Sequence, residues 1–97
     1  MSEFTVIARV KAKAGKEMDL AKAWSTVANL SRKEKGCLGY VLHRSLTDPT
    51  LFVSVEKWAS KEANDQHMAS AHIQELLRQV PLLLAAPPEI LPFEVLG

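Results

Sequence analysis

The chain has 97 residues, enough for one domain with a single hydrophobic core. Hydrophobic residues make up 47% of the sequence and charged residues 24%, which is typical of a globular protein that dissolves in water. Twelve basic and eleven acidic residues are mixed along the chain and give a net charge of +1, so no basic stripe favours binding to nucleic acid. The longest apolar run, residues 82–86, is too short to cross a bilayer.

The cysteine content and the first residues indicate a compartment. The single cysteine, Cys37, cannot form an intramolecular disulfide and suits a reducing environment. Residues 1–15 carry an acidic residue at position 3 and lack the apolar run of a signal peptide. We therefore expect a cytoplasmic protein in which Cys37 behaves as a small buried apolar side chain.

The first two predicted elements are a strand and a helix. Residues 4–12 alternate between two faces with period two, which predicts a strand. A helix is expected from about Lys16, because acidic residues in its first turn complement the helix dipole and apolar residues repeat at helical spacing. Trp24 lies in this apolar stripe, and Gly36 can adopt the left-handed conformation that ends the helix.

Two further strands and a second helix are predicted next. Residues 37–45 and 51–58 alternate with period two and are joined by an Asp-Pro turn, so we expect an antiparallel hairpin. Alternation places Cys37 on the face opposite to Tyr40. Ser60 is the predicted N-cap of a helix that extends to Pro81, with a kink or break in residues 68–72.

A last short strand is predicted in residues 88–97, and Pro92 places it at a sheet edge or a bulge. The resulting order, β-α-β-β-α-β, predicts an α+β fold of the ferredoxin-like type over residues 1–97, with an antiparallel sheet and both helices on one face. The other face would carry large apolar residues without cover. Because soluble monomers rarely expose such a patch, we expect a two-fold symmetric homodimer.

Residues 36–76 resemble the antibiotic-biosynthesis monooxygenase family of the dimeric α/β-barrel superfamily. The matching features are a Gly-Cys-Leu strand with a tyrosine, an Asp-Pro turn, the pattern Phe-x-x-x-Glu-x-Trp, and the histidines of DQHMAS and SAH. The opening and closing segments also fit, so the resemblance covers nearly the whole chain. It implies a homodimer of ferredoxin-like protomers with a small-molecule pocket between each sheet and its helices. It also implies oxygenation of phenolic, quinol or anthrone-like substrates by molecular oxygen without metal or flavin.

One branch of the superfamily degrades haem, with an asparagine in the first strand and a tryptophan–histidine pair on the second helix. His67 and Leu77 occupy those two helix positions here, and residues 4–12 contain no asparagine. The sequence therefore gives little support for haem degradation.

Cofactor-free oxygenation requires an apolar pocket, a base that removes a phenolic proton, and a donor that stabilises the oxyanion. His67 is the predicted base, since the imidazole pKa of about 6.5 lies near working pH. On an ideal helix it occupies a partly solvated boundary position, and a structural histidine bonded to backbone is the alternative. Trp58 and Tyr40 are predicted contacts to the substrate, with core packing as the alternative for each.

The remaining candidates are His72, Trp24, Glu56 and Arg44. His72 and Trp24 are weaker candidates for the pocket wall, and a structural role for His72 and core packing for Trp24 are the favoured interpretations. His72 lies about 140° from His67 on one ideal helix. This angle and the single cysteine predict no metal site, and no cofactor is expected. A buried Glu56 must be paired or neutral. Arg44 is its predicted partner, within the sheet or across the dimer interface, and a catalytic acid of raised pKa is the alternative.

These observations together predict a homodimeric, cofactor-independent monooxygenase that oxidises a small quinol or polyphenol-type aromatic with molecular oxygen. An isomerase or lyase that uses the same base without oxygen is the second hypothesis. A dimeric small-molecule-binding or stress protein without catalysis is the third. An anaerobic assay separates the first two, and turnover separates both from the third.

Overall fold

A computed structural model describes residues 3–97. The strands are β1 (Phe4–Lys11), β2 (Cys37–Arg44), β3 (Leu51–Trp58) and β4 (Glu89–Glu94), and the helices are α1 (Glu17–Ser31), α2 (Lys61–Met68), α3 (Ala71–Arg78) and α4 (Val80–Leu83). Within the described residues, no helix combines the length and the apolar character that crossing a bilayer requires.

The four strands form one antiparallel sheet in the order β2-β3-β1-β4. The central strand β1 pairs with β3 from Phe4 opposite Trp58 to Lys11 opposite Leu51, and with β4 on its other side. Pro92 has no N–H to donate and lies in the edge strand β4, as predicted. The order and directions of the strands confirm the ferredoxin-like fold.

The even-numbered residues of β1 and β3 face the helices. All of them except the partly buried Phe4 are buried, whereas their odd-numbered neighbours are partly or fully exposed. α1 buries Leu20, Trp24 and Val27 against this face, in one cluster with Phe52 of β3. A second buried cluster contains Tyr40 and Trp58. The hydrophobic effect therefore holds the helices to one side of the sheet, and the cavity described below lies in that layer.

The opposite face of the sheet also carries apolar side chains, and no helix in residues 3–97 packs over it. The strand registers place on this face Ile7, Val41, Val53, Val55, Leu91 and Phe93. Several are substantially exposed, including Val41 at 51% and Phe93 at 47%. This face is called the open face below.

A β-bulge at the start of β2 changes the faces that alternation predicts. The register shifts between Cys37 and Gly39, so Leu38 is the extra residue and Cys37 lies opposite Trp58. Cys37 therefore packs on the helix side with the Trp58 cluster, and the predicted opposite face is wrong. Burial raises the pKa of its thiol, consistent with the predicted role as a small apolar side chain.

The predicted second helix consists of three helices. α2 ends at Met68, and Ser70 caps α3 by accepting a hydrogen bond from the N–H of Ile73. This confirms the predicted break in residues 68–72. Pro81, expected to end the helix, instead lies in the first turn of α4, where its missing N–H removes no helical hydrogen bond.

Gly36 holds the loop between α1 and β2 against α2. Its φ of +89° is left-handed, as predicted, but α1 already ends at Ser31 with Arg32 as its cap, so the predicted helix end at Gly36 is wrong. A Cβ at this position would lie 2.6 Å from the Cβ of Ala63 in α2. The carbonyl of Gly36 also accepts a hydrogen bond of 2.8 Å from the N–H of Ala59. The loop and the helix therefore approach as closely as a residue without a side chain allows.

Replacement of Gly36 by alanine should destabilise the fold more than the same replacement at Gly15. Gly15 has a similar φ of +85°, but no heavy atom lies within 4 Å of the position that an alanine methyl group would occupy. Gly15→Ala should therefore cost only about 1–2 kcal/mol for the left-handed conformation. Gly36→Ala adds the clash with Ala63, and overpacking of this kind costs about 1–3 kcal/mol more. Urea denaturation of both variants measures the difference. Equal losses would show that the contact between the loop and α2 is not tight.

Candidate active site

An apolar cavity lies between the buried face of the sheet and the helices. Its apolar walls include Val6, Val10, Leu20, Ile73, Leu83 and Ile90. Four side chains with polar atoms also line it, namely Trp24, Tyr40, Glu56 and His67. The space open to the centre of a water molecule is about 60 Å³, enough for several waters. The cavity therefore suits a small ligand that displaces those waters.

His67 forms a buried part of the cavity wall and is only 2% exposed. The centroid of its ring lies 4.4 Å from that of Trp58 and 5.7 Å from that of Tyr40. α2 carries the ring, and Ser60 fixes the start of that helix by accepting a hydrogen bond from the N–H of Ala63. The partly solvated position predicted for His67 is therefore wrong, since neighbouring rings enclose the imidazole.

Glu34 lies between the two histidines of the helical region. Its Oε2 is 2.8 Å from Nδ1 of His67 and 2.8 Å from Nε2 of His72. An ionised carboxylate can only accept hydrogen bonds, so both nitrogens carry protons and donate. With its single ring proton at Nδ1, a neutral His67 has its lone pair at Nε2. This hydrogen bond favours the tautomer that the predicted role of His67 as a base requires.

Sequence reasoning missed Glu34, which belongs to the α1–β2 loop and precedes His67 by 33 residues. The one available signal was an acidic residue inside the basic run RKEKG. The angle of about 140° between His67 and His72 assumed one continuous helix. The break after Met68 removes that assumption, and the two ring centroids lie 6.0 Å apart. The angular argument against a metal site therefore does not hold.

Glu56 supplies a second buried carboxyl group and is 3% exposed. Ser54 Oγ donates to its Oε2 at 2.6 Å, and Trp58 Nε1 donates to its Oε1 at 3.0 Å. Nε2 of His67 lies 3.8 Å from Oε1. Burial raises the pKa of Glu56, although the hydrogen bonds from Ser54 and Trp58 oppose the rise. The carboxyl group of Glu56 thus faces Nε2 of His67. Hydrogen bonds from Ser54 and Trp58 already occupy part of the acceptor positions of this carboxyl group.

The ion pair predicted between Glu56 and Arg44 does not form within the chain. The register of β2 and β3 places Tyr40 opposite Glu56, and Arg44 opposite Phe52. Four residues along a strand correspond to about 13 Å, too far for contact, and Arg44 is exposed. The prediction is wrong because period-two alternation gives the face of a residue but not its register. Ser54 and Trp58 supply the hydrogen bonds expected from Arg44.

Trp24 and Tyr40 both lie in the cavity wall, and they contact each other. Nε1 of Trp24 donates to the hydroxyl oxygen of Tyr40 at 2.8 Å. Burial raises the pKa of Tyr40, so its hydroxyl stays protonated at neutral pH. Because Trp24 fills one acceptor position, the Tyr40 hydroxyl proton can be directed towards an oxygen atom in the cavity.

Trp58 and His72, predicted to contact the substrate, are not among the described residues that line the cavity. Trp58 is fully buried, stacks on His67 and donates its indole N–H to Glu56. The side chain of His72 is 16% exposed and contacts Glu34. Both residues therefore contact the groups around the imidazole from outside the cavity.

Nitrogen NMR of the histidine rings should find His67 protonated at Nδ1 and bare at Nε2. In Glu34→Ala the Nδ1 proton loses its acceptor, so the tautomer preference should weaken. The free energy of unfolding should fall by about 1–3 kcal/mol, the range for an unsatisfied buried donor. Gln66→Ala, an exposed change on the same helix, should leave both measurements unchanged. A wild-type His67 with its proton at Nε2 would contradict the geometry.

Comparison with known proteins relates this site to a family. The family model described as Antibiotic biosynthesis monooxygenase matches residues 3–79. The uncharacterised protein sll1783 of Synechocystis is 31% identical over 85 residues, which cover 88% of this chain and 58% of that relative's length. A proposed monooxygenase of Bacillus subtilis, YcnE, is 28% identical over 88 residues, which cover 91% of this chain and 93% of YcnE.

A solved structure shows the same fold over the whole chain. The crystal structure of PA3566 from Pseudomonas aeruginosa superposes with a TM-score of 0.93 at 29% identity, covering 100% of this chain and 97% of that chain. The family match includes β1 to β3, the α1–β2 loop and both helices that carry the site histidines. The chain belongs to the antibiotic biosynthesis monooxygenase family.

Proposed function

We propose that the chain is a cofactor-independent monooxygenase that acts on a small phenol or quinol with a single aromatic ring. The observation that carries this proposal is the position of His67. Its Nδ1–H is held by Glu34, which leaves an unprotonated Nε2 on a residue that lines an apolar cavity. Membership of the family and the relative YcnE, a proposed monooxygenase, support oxygenation. The small size of the cavity supports a single ring.

The first step is removal of the phenolic proton. A phenolate gives electrons to dioxygen far more readily than the neutral phenol. Nε2 of His67 accepts the proton, and the Glu34 carboxylate stabilises the resulting imidazolium through the Nδ1–H bond. The Tyr40 hydroxyl donates to the phenolate oxygen. A low-polarity cavity strengthens both interactions because little water screens them.

The second step joins oxygen to the ring. A phenol with a free para C–H reacts with one dioxygen molecule to give a para-quinone and one water molecule. The O–O bond breaks, one oxygen atom becomes the new carbonyl, and the other leaves as water with the phenolic proton and the ring hydrogen. The substrate loses four electrons and dioxygen gains four, so the balance requires no external reductant.

We also propose that two copies of the chain pair through the open face. Its apolar residues extend over all four strands, and uncovered patches of this kind are rare on soluble monomers. A two-fold contact buries the same patch on both copies. The resemblance to a family of dimeric barrels supports this arrangement.

Oxygen uptake with a panel of single-ring phenols and quinols tests the reaction. The wild type should consume one dioxygen per quinone formed, with one oxygen-18 atom from labelled dioxygen in the product. His67→Ala should lower kcat by about 100-fold or more, the contribution of a general base, and Gln66→Ala should keep the wild-type rate. Equal turnover without oxygen would assign an isomerase or lyase. Stabilisation by the same compounds without turnover would assign a binding protein.

Light scattering after size-exclusion chromatography tests the pairing. The wild type should have twice the 10.7 kDa mass of one chain at micromolar concentration. Val55→Asp places a charge at the centre of the open face and should shift the mass to that of the monomer. Ser25→Asp, an exposed change on α1, is the matched control and should remain dimeric. A monomeric wild type would reject the proposal.

A further inference from the structure

Glu34, His67 and His72 bring three metal-binding atoms together. The two imidazole nitrogens each lie 2.8 Å from the same carboxylate oxygen, and one ligand atom from each residue lies within 4.8 Å of the others. Two imidazoles and one carboxylate form a ligand set that suits zinc and other first-row divalent ions. Three protein ligands leave a coordination position for water.

We propose that these three residues bind a divalent transition-metal ion, with zinc the preferred ion, and that binding switches the base off. The binding itself depends only on the geometry of the three side chains. The effect on catalysis rests on the proposed function, because it requires His67 to accept the substrate proton.

Metal binding moves protons within the two rings. In the structure two N–H protons point at one oxygen atom. When a divalent ion binds these two nitrogens, each neutral ring carries its proton on its other nitrogen, so no proton leaves the site. The carboxylate of Glu34 compensates one of the two positive charges of the ion, and the partly exposed side chains of Glu34 and His72 leave the remaining charge close to solvent.

Two of the three distances between ligand atoms require only small movements, and the two imidazole nitrogens, which lie within 4.8 Å of each other, must reach the same separation. Tetrahedral zinc with bonds of about 2.0–2.2 Å separates its ligand atoms by about 3.4 Å. The two contacts of 2.8 Å would therefore open by about half an ångström. Glu34 lies in a loop, so a small rotation of its side chain can supply this change.

The site is accessible from outside the apolar cavity. The side chains of His72 and Glu34 are 16% and 17% exposed, whereas that of His67 is 2% exposed. A hydrated ion can therefore reach His72 and Glu34 first and then bind Nδ1 of His67 without crossing the substrate space.

Metal at Nδ1 changes what Nε2 can do. A neutral imidazole has one N–H, so coordination at Nδ1 moves the proton of His67 from Nδ1 to Nε2. Nε2 then donates a hydrogen bond and can no longer accept a phenolic proton. Zinc and the substrate would thus compete through His67 although they occupy different sides of its ring.

Calorimetric titration of chelator-treated protein with zinc chloride tests the site. We expect one ion per chain with a Kd below about 100 μM, and no net release of protons from the three ligands, measured in two buffers of different ionisation enthalpy. His72→Ala and Glu34→Ala should each weaken binding about tenfold or more. His43→Gln, a change of the third histidine on the open face, should not. Circular dichroism shows whether each variant is folded, and cobalt absorption spectra report the ligand geometry in the wild type.

Four results would overturn parts of the inference. A Kd above about 100 μM would reject the site. Zinc affinity that falls in His43→Gln and is kept in His72→Ala would also reject it. Zinc that binds while oxygen uptake stays unchanged would reject the switch. If the wild type has no oxygenase activity, nitrogen NMR decides the switch independently, because saturating zinc must leave the proton of His67 at Nε2. If Nε2 of His67 carries no proton in the zinc-saturated protein, the switch is rejected even without an activity measurement.

Discussion

The hydrogen bond between Glu34 Oε2 and His67 Nδ1 is the contact on which the proposed chemistry of the site depends. It joins a loop and a helix that are 33 residues apart in sequence. Without that acceptor, a buried imidazole could carry its proton on either nitrogen, and only one choice leaves Nε2 able to take a proton. The close approach of Gly36 to Ala63 keeps the loop and the helix in register. The backbone conformation of one glycine thus supports a hydrogen bond between side chains of the loop and the helix.

Polar side chains interrupt the apolar core near His67, and each has a partner. Ser54 and Trp58 donate to Glu56, and Trp24 donates to Tyr40. Four of these five residues lie on β2 or β3 at positions that face the helices. Burial of polar groups at such positions reduces stability unless the groups are hydrogen-bonded. Stability of the fold alone would favour apolar residues at these buried positions. A concentration of polar residues beside the cavity is therefore what a functional site there would produce.

The fold was largely predictable because its signals are local. Alternation located the strands, the weak periodicity of residues 68–72 marked the helix break, and Pro92 marked an edge strand. The cavity wall was predictable in part, through Trp24, Tyr40 and His67. Errors arose where contact depends on register or on a distant loop. One extra residue at Leu38 reversed the face of Cys37.

The contacts of Arg44 and Glu34 also could not be predicted from local patterns, because they depend on how distant parts of the chain pack together. Alternation placed Arg44 and Glu56 on one face of the sheet, but four residues of register separate them. No periodic pattern connects Glu34 to the histidines, and its position became evident only when the chain was folded. The ideal-helix angle between His67 and His72 failed for a related reason, since it extends a local rule through a break in the helix.

The break between α2 and α3 divides the residues of the cavity wall into those before the break and those after it. His67 belongs to the helix anchored at the Gly36 turn, whereas Ile73, Leu76 and Leu83 come from the helices after the break. Substitutions in those later helices can reshape the chamber while the acid–imidazole pair stays in place. Such an arrangement would let the shape of the cavity diverge among relatives without displacing the proposed proton acceptor.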